Sequence, residues 1–495
     1  IVRRCMAKQP SARYQAMAEV KTALEQIFGG KTSGSSAEPQ PSIAVLPFVN
    51  MSGDKEQEYF SDGLAEDIID ALTQLPGLRV MARTSAFAFR GREQDIREIG
   101  SKLNVEHILE GSVRRAGNRL RITAQLVKAS DGYHLWSQRF DREIADVFAI
   151  QDEISHAIAE KLRVRLSGGD RPVRRHTPNV EAYSLYLKGR HQFYRATKES
   201  NQKSIQYYEQ AIELDRDYAL AWYGLAKCFW WTGYAGFIPP KTANAQAGQA
   251  LHEALDLDAT LPEAHAMLGM LRGVEYDQEA AEREFRIALD LSPKSDEVLI
   301  NFSWFLLCTQ RLDEAISVIQ EALELDPLSL ILQHMIGLYH YFRRQWDEGI
   351  HHWLTALDLD ASYSSAYQYL SQSYIQKGMI EEGIRNAETL AELYDRIPLA
   401  LGILGWAYAK AGRNGEARKV LGELQDFSRK AYALPSAFAW IYLALEEIDH
   451  GLDSMERAVA ERDQWIFHMI QDSSLDPLRS HPRYRALLRR MNLEA

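Results

Sequence analysis

Cysteine is scarce in this chain: three occur in 495 residues, Cys5, Cys228 and Cys308, each in an apolar helical setting. An extracellular disulfide framework or a thiolate zinc site would need closer, repeated spacing, so these thiols read as reduced core residues of a cytoplasmic protein. Positive charge is also short. Lys and Arg total 57 against 68 Asp and Glu, a net charge of −11, which argues against general nucleic-acid binding because phosphate contacts need clustered cations. No run of about 18 apolar residues occurs, so no membrane span is expected. An initiator Met is absent too. Ile1 opens the chain with no signal-peptide hydrophobic region behind it, and the expectation is a sequence that begins inside a longer protein. What is present, 46% hydrophobic and 25% charged residues, is ordinary globular composition with length for about three domains.

A fixed interval organises the second half. Gly269, Ser303, Gly337, Ser371, Gly405 and Ala439 recur at steps of 34, and Ala226 precedes Gly269 by 43, a nine-residue insertion. A second column of small residues runs through Ala288, Ala322, Ala356 and Ala458. Two helices cross closely only where the side chains between them are small, so the columns mark paired helices. Phrases such as Ala322-Leu323-Glu324-Leu325-Asp326-Pro327 end each second helix, because the proline ring forbids its continuation. Trp222, Leu225, Ala226 and Phe229 nearly spell the first-helix pattern of the tetratricopeptide repeat (TPR), and the chain resembles that family over 179–465. The resemblance implies a stacked solenoid of about eight helix pairs that binds rather than catalyses. Residues 466–495 are expected to cap its last apolar face, with Tyr484, Leu487, Leu488 and Met491 covering it.

Residues 1–28 read as amphipathic helices broken at Pro10. The string Arg4-Cys5-Met6-Ala7-Lys8-Gln9-Pro10-Ser11-Ala12-Arg13-Tyr14 resembles the last helices of a bacterial Ser/Thr protein kinase C-lobe. The resemblance implies a kinase core upstream that holds ATP and magnesium; this chain is expected to carry no cofactor, no metal and no catalytic residue of its own. An unrelated amphipathic leader is the alternative. Residues 29–42, rich in Gly, Ser and Pro, read as a flexible linker.

Residues 43–166 read as a small mixed α/β domain. Ile43-Ala44-Val45-Leu46-Pro47-Phe48 is an apolar run typical of a strand covered on both faces. A helix is expected over about 56–74, capped by Ser61 or an earlier residue. Strands follow at 78–82 and 107–113, with a short helix at 96–103 between them. Leu120, Ile122, Ala124 and Leu126 alternate with Arg119, Arg121, Thr123 and Gln125, and hairpin turns at Ala116-Gly117-Asn118 and Ser130-Asp131-Gly132 join three strands. A last helix runs over about 147–166. Ser61-Asp62-Gly63-Leu64, Glu110-Gly111-Ser112-Val113-Arg114 and Trp136-Ser137-Gln138-Arg139-Phe140-Asp141 resemble the TolB amino-terminal-like domain, which implies a coupling role. The arginines at 79, 83, 90, 92, 114, 115, 119 and 121 form a basic edge, read either as a solvated sheet edge or as a docking surface for an acidic partner. Residues 167–178 are a polar linker.

The fold expected overall is α+β, a small α/β domain followed by an all-α TPR solenoid. In this repeat the first helix of each unit lines the concave side. The residues placed there are Tyr186, Arg190, Phe193, Tyr223, Lys227, Trp230, Ile300, Trp304, His334, Tyr341, Gln368, Gln372, Trp406 and Trp440. Aromatics of that size anchor protein recognition, so a protein or peptide ligand in the groove is expected. The competing reading packs the stripe on neighbouring units or on the α/β domain. The functional expectation is a regulatory, protein-interaction portion of a bacterial signalling protein. A Ser/Thr kinase comes first, and an adenylate/guanylate cyclase, a winged-helix transcription regulator or a freestanding scaffold are the alternatives.

Overall fold

A computed structural model describes residues 40–75, 77–91, 95–164 and 177–493. The kinase-like leader and the 29–42 linker, apart from its last three residues, lie outside the described residues, as does most of the 167–178 linker.

β1 (Ser42–Val45) is buried along its whole length, and its two faces serve two different cores. Ile43 and Val45 point into a large cluster, whereas Ala44 joins Met81, Phe89, Ile99 and Ile108 on the opposite face. That is the period-2 alternation of a strand with helices on both sides. β2 (Val49–Asn50) is a short parallel addition beside β4. Helix α1 (Glu58–Thr73) follows, then β3 (Arg79–Val80), α2 (Arg83–Phe87), α3 (Ile96–Leu103), β4 (His107–Ala116), β5 (Arg119–Lys128), β6 (His134–Glu143) and α4 (Val147–Lys161). The sheet order is β3-β1-β4-β5-β6. β1 lies parallel to both neighbours, and β4, β5 and β6 form an antiparallel meander, with Gly111 opposite Ala124 and Ile122 opposite Phe140. Leu120, Ile122, Ala124 and Leu126 are fully buried, as their alternation predicts.

Two local expectations change. α1 starts at Glu58 with no side-chain cap, and Ser61 lies inside it, its hydroxyl buried without a partner. Asp54 instead accepts from the Glu56 N–H in the preceding 3-10 turn. The one-turn α2 was not expected, since Arg-Thr-Ser-Ala-Phe carries no helical periodicity.

The helical array consists of eight pairs. Their first helices are α5 (Val180–Phe193), α7 (Ala219–Tyr234), α9 (Pro262–Val274), α11 (Asp296–Cys308), α13 (Leu330–Phe342), α15 (Ser364–Gln376), α17 (Pro398–Lys410) and α19 (Pro435–Ala444). The seconds are α6 (Lys198–Leu214), α8 (Pro240–Leu257), α10 (Gln278–Leu291), α12 (Leu312–Leu325), α14 (Trp346–Leu359), α16 (Ile380–Leu393), α18 (Asn414–Ser428) and α20 (Ile448–Glu461). The residue that closes a second helix turns extended, and its N–H bonds back to the small column: Ser292 to the Ala288 carbonyl, Asp326 to Ala322, Asp360 to Ala356. The column thus sets both the crossing distance and the exit of the chain. α21 (Ile466–Met469), a 3-10 turn and α22 (Pro482–Arg490) finish the molecule. Tyr484, Leu487 and Met491 are buried there as expected of a cap, and Leu488 packs partly beside them. No helix of the described residues is long and apolar enough to cross a membrane.

The reason for a small residue at the crossing is explicit at Gly337. A Cβ there would stand 2.5 Å from the Trp353 indole, which is fully buried in the same pair. Gly337→Ala should therefore destabilise the array by about 2 kcal/mol through overpacking. Urea unfolding followed by far-UV circular dichroism measures this.

Candidate functional site

Residues 42–495 fold as one unit, and its two parts meet at two docks. The first is built on α1, whose Glu66 and Asp67 face α5. Arg190 sends Nε to Glu66 Oε2 at 2.6 Å and Nη2 to Asp67 Oδ1 at 3.1 Å, and donates to the Gly63 carbonyl at 3.2 Å. Arg83 takes the other Glu66 oxygen at 2.6 Å. The Tyr183 hydroxyl donates to Asp67, and the Gln151 amide donates to both at 2.9 Å. The helices approach closely because position 63 is glycine; a Cβ there would meet Leu187 Cδ2 at 2.5 Å. Burial opposes the charge on Arg190, but Glu66, Tyr186 and Asp67 more than offset it and hold the group firmly protonated. Burial is also the leading influence on Asp67, whose carboxyl lies above its usual range.

The second dock lies three units along. Asp326, fully buried, accepts from the Ser85 N–H at 3.1 Å and from the Ser85 and Thr84 hydroxyls. The Ala82 N–H donates to the Leu325 carbonyl at 3.0 Å, and the Leu328 N–H donates to Ser85 Oγ at 2.8 Å. Two of the basic-edge arginines are thereby accounted for. Arg83 pairs with Glu66, and Arg90 pairs with Asp62 at 2.5 Å, so both serve the α/β part itself.

The inward stripe is where the sequence places it, but its residues are packed rather than free, and this corrects the expectation of an open groove at these positions. Tyr186 lies among Tyr208, Tyr218 and Arg190. Trp406 and Trp440, 1% and 2% exposed, meet edge to face 5.8 Å apart between the last units. Gln368 and Gln372 are equally buried, and Ile300 is half-buried against the core of the middle units. Trp230 stacks on Tyr234, which in turn receives the Trp465 ring at 5.0 Å and the Trp465 indole N–H on its carbonyl at 3.2 Å. Trp304 touches His468 with ring centres 4.9 Å apart. His334 packs edge-on against Tyr369, whose hydroxyl meets His468 Nδ1 at 2.5 Å. Tyr341 donates to the buried Asp472, and Gln471 donates to the Leu307 carbonyl at 3.1 Å.

In the middle units the stripe meets the chain's own segment 465–472, at Trp304 and Tyr341 directly and at Trp230 through Tyr234. Periodicity reports which residues point inward. It does not report that the array bends far enough for its last turn to return against units two to six. Burial pushes His334 and His468 down to about 3, so both are neutral filling.

A polar strip stays partly open inside. Lys227 reaches Glu297 at 2.7 Å and lies 5.4 Å from the Phe193 ring, and the Tyr223 hydroxyl donates to the same carboxylate. Burial works against ionisation of Glu297, but Lys227 holds its carboxyl below the usual range. Burial pushes Glu263 up to about 7, with repulsion from Glu297 adding to it, and carries Asp296 up to about 6. On the outside, Leu214, Leu257, Leu291 and Leu393 occupy the same closing position in their units and are exposed. Sequence reasoning missed the docking residues Asp326, Ser85 and Glu66, because Asp326 reads as part of the repeat's closing phrase and the others carry no pattern.

Two family profiles match. One, described as HilA/YgeH-like transcriptional regulator, second domain, covers residues 39–157, the segment likened above to the TolB module; the other, tetratricopeptide repeat, covers 183–218. The helical part is a TPR array. The chain is 41% identical over 236 residues to the protein named Putative adenylate cyclase 3 of Rhizobium meliloti, covering 47% of this chain and 40% of that one. It is 25% identical over 299 residues to Transcriptional regulator HilA of Salmonella typhimurium, covering 58% and 52%. The chain thus spans about half the length of the curated relatives it matches. Among solved structures it is similar to human IFIT1 dimer with m7Gppp-AAAA, at 14% identity and TM-score 0.46 over 69% of this chain and 77% of that one. It is also similar to PilW, a type IV pilus biogenesis factor, at 18% identity and TM-score 0.35 over 43% and 94%.

Two outcomes follow from the packing and the electrostatics. Trp406→Ala should cost about 3–5 kcal/mol of stability, as for a buried core indole rather than a surface anchor; urea unfolding reads it. Glu263 holds its proton to higher pH when folded than when unfolded, so its ionisation between pH 4.5 and 7 destabilises the fold. Glu263→Gln should match the parent chain near pH 4 and exceed it by about 2 kcal/mol at pH 8, because each pKa unit is worth about 1.4 kcal/mol and the site is partly solvated. Paired urea titrations at the two pH values decide it.

Proposed function

We propose that this chain is the non-catalytic regulatory and protein-interaction portion of a bacterial cytoplasmic signalling protein, with its α/β part relaying between an output domain and the TPR array. The observation that carries the reading is the pair of docks. A small sheet domain held at the first unit and again at the turn between units four and five registers any change in the curvature of the array. Partner binding that opens or tightens the array would load one dock against the other and so shift the α/β domain. The ligand class is a protein or peptide, and the exposed closing-position leucines offer it an edge. Nucleic acid is not the expected partner given the acidic balance of the chain.

The identity of the output domain is the finer question. The Arg4-to-Tyr14 string supports a Ser/Thr kinase, with ATP and magnesium held in that core and no cofactor in this chain; the coupling role implied by the TolB resemblance fits it. The likeness of this portion to a protein named as an adenylate cyclase and to a transcriptional regulator supports the second reading, in which the same portion serves a cyclase or a winged-helix DNA-binding domain. We favour the second, because those similarities extend over 236 and 299 residues whereas the kinase resemblance is confined to residues 1–28. The sequence encoded upstream of Ile1 separates them: a Gly-rich loop with a His-Arg-Asp catalytic loop identifies a kinase, and a cyclase or winged-helix domain excludes it.

In the full-length protein, Asp326→Ala should change the output activity several-fold while the helical content stays the same. Enzyme turnover or reporter transcription measures the first, and circular dichroism the second. Output that ignores the loss of this dock would remove the α/β domain from the relay.

A further inference from the structure

Where α1 begins, β4 ends and α5 starts, the two parts of the molecule leave a cavity of about 460 Å³, within the range that small-molecule sites occupy. Its walls come from both parts. Tyr59, Arg115 and Ile144 belong to the α/β domain; Val180, Ser184 and Lys188 belong to the first repeat helix. The Tyr59 hydroxyl joins them, 2.9 Å from Ser184 Oγ and accepting from Arg115 Nη1 at 3.1 Å.

The cavity is unusual in its charges. Arg83, Arg90, Arg190 and Lys227 are all matched by carboxylates. Arg115 and Lys188 have no ion-pair partner among the described residues. The Arg115 guanidinium donates to the Tyr59 hydroxyl and, at 3.4 Å, to the Gly117 carbonyl. The Lys188 ammonium stands 5.4 Å from the Tyr59 ring centre and 5.8 Å from that of Tyr207. Gln57, at the start of α1, also lines the cavity. One carboxylate, Glu181, lines the site and is exposed, which leaves a net positive balance. Ile144, Val180, Leu185 and the Tyr59 ring supply an apolar wall.

We propose that this junction cavity binds a small organic anion, a phosphate or carboxylate carried on an apolar body of about nucleoside size, with its charge between Arg115 and Lys188 and its body against Tyr59 and Ile144. A ligand there touches both parts at once and stiffens the junction. The inference goes beyond the partner reading above and does not depend on which output domain is attached.

Isothermal titration calorimetry of the 495-residue chain with AMP, benzoate and inorganic phosphate tests it. The expected result is saturable one-to-one binding of AMP or of benzoate. Which of the two binds assigns the anion as phosphate or carboxylate, and inorganic phosphate, lacking the apolar body, should bind at least about tenfold more weakly. Arg115→Gln and Lys188→Gln should each weaken binding about tenfold or more, a difference of about 1.4 kcal/mol, with unchanged circular dichroism. Should Arg115→Gln fail to fold, Lys188→Gln with rescue by Lys188→Arg decides the matter. Absence of saturable heat from both organic probes up to about 5 mM, weaker than any Kd of practical consequence here, overturns the proposal. So does binding that survives the Lys188→Gln change.

Discussion

Arg190 sits on the first repeat helix with its guanidinium between two carboxylates of the α/β domain. Its side chain is only 13% exposed, and a cation at that depth is tolerable only while Glu66 and Asp67 stay opposite it. The converse holds for Glu66, which divides its two oxygens between Arg190 and Arg83. Removing Arg190 leaves Glu66 with Arg83 as its only cation and Asp67 with Tyr183 and Gln151 alone, so the arginine is the member that ties the two parts. The dock exists only because Gly63 lets α1 approach α5 closely enough for the fork to reach. At this dock the approach of the α/β part depends on one glycine and one arginine 127 residues apart.

The second dock has a different chemistry and a different consequence. Asp326 lies at the end of α12, where the repeat requires an extended residue whose N–H returns to the alanine column. The same residue turns its carboxylate onto the start of α2 and takes up three donors from Thr84 and Ser85. A carboxylate at a helix start is favourable in itself, and here the helix belongs to one part and the carboxylate to the other. The repeat geometry and the dock thus share one residue. A distortion of the array that moves Leu325-Asp326-Pro327 cannot leave the α/β domain undisturbed.

Much of this was legible from residue pattern. The 34-residue column located the helix pairs, since the spacing of small residues at crossings is a local property of sequence. The alternation of Leu120, Ile122, Ala124 and Leu126 gave the buried face of β5 for the same reason. The inward direction of Trp304, Tyr341, Trp406 and Trp440 was also readable. Their fate was not, because coverage depends on the summed curvature of the units, each contributing a small rotation that no single repeat encodes. Segment 465–472 illustrates the point. Trp465, Phe467 and His468 look like the start of a tail, yet they fill the space facing Tyr234, Tyr276 and Tyr369. Aspartate 326 escaped notice for the opposite reason: it fitted its repeat too well to suggest a second duty.

The filled interior changes where the work of recognition has to be done. Where segment 465–472 covers the interior it joins Tyr234, Trp304, Tyr341 and Tyr369, which belong to four different units, and so contributes cohesion among them. On the proposed reading, a ligand would act by shifting the balance between docks. The surfaces able to do so are those that border both parts or that line the outer edge. The junction between α1 and α5 is one such surface, and it is also where Arg115 and Lys188 stand without an ion-pair partner among the described residues. Repeat arrays bind through whatever face their curvature leaves accessible. In this chain the middle of the inward stripe is filled, and accessibility is left to the polar strip at Lys227 and Glu297, the rim and the seam.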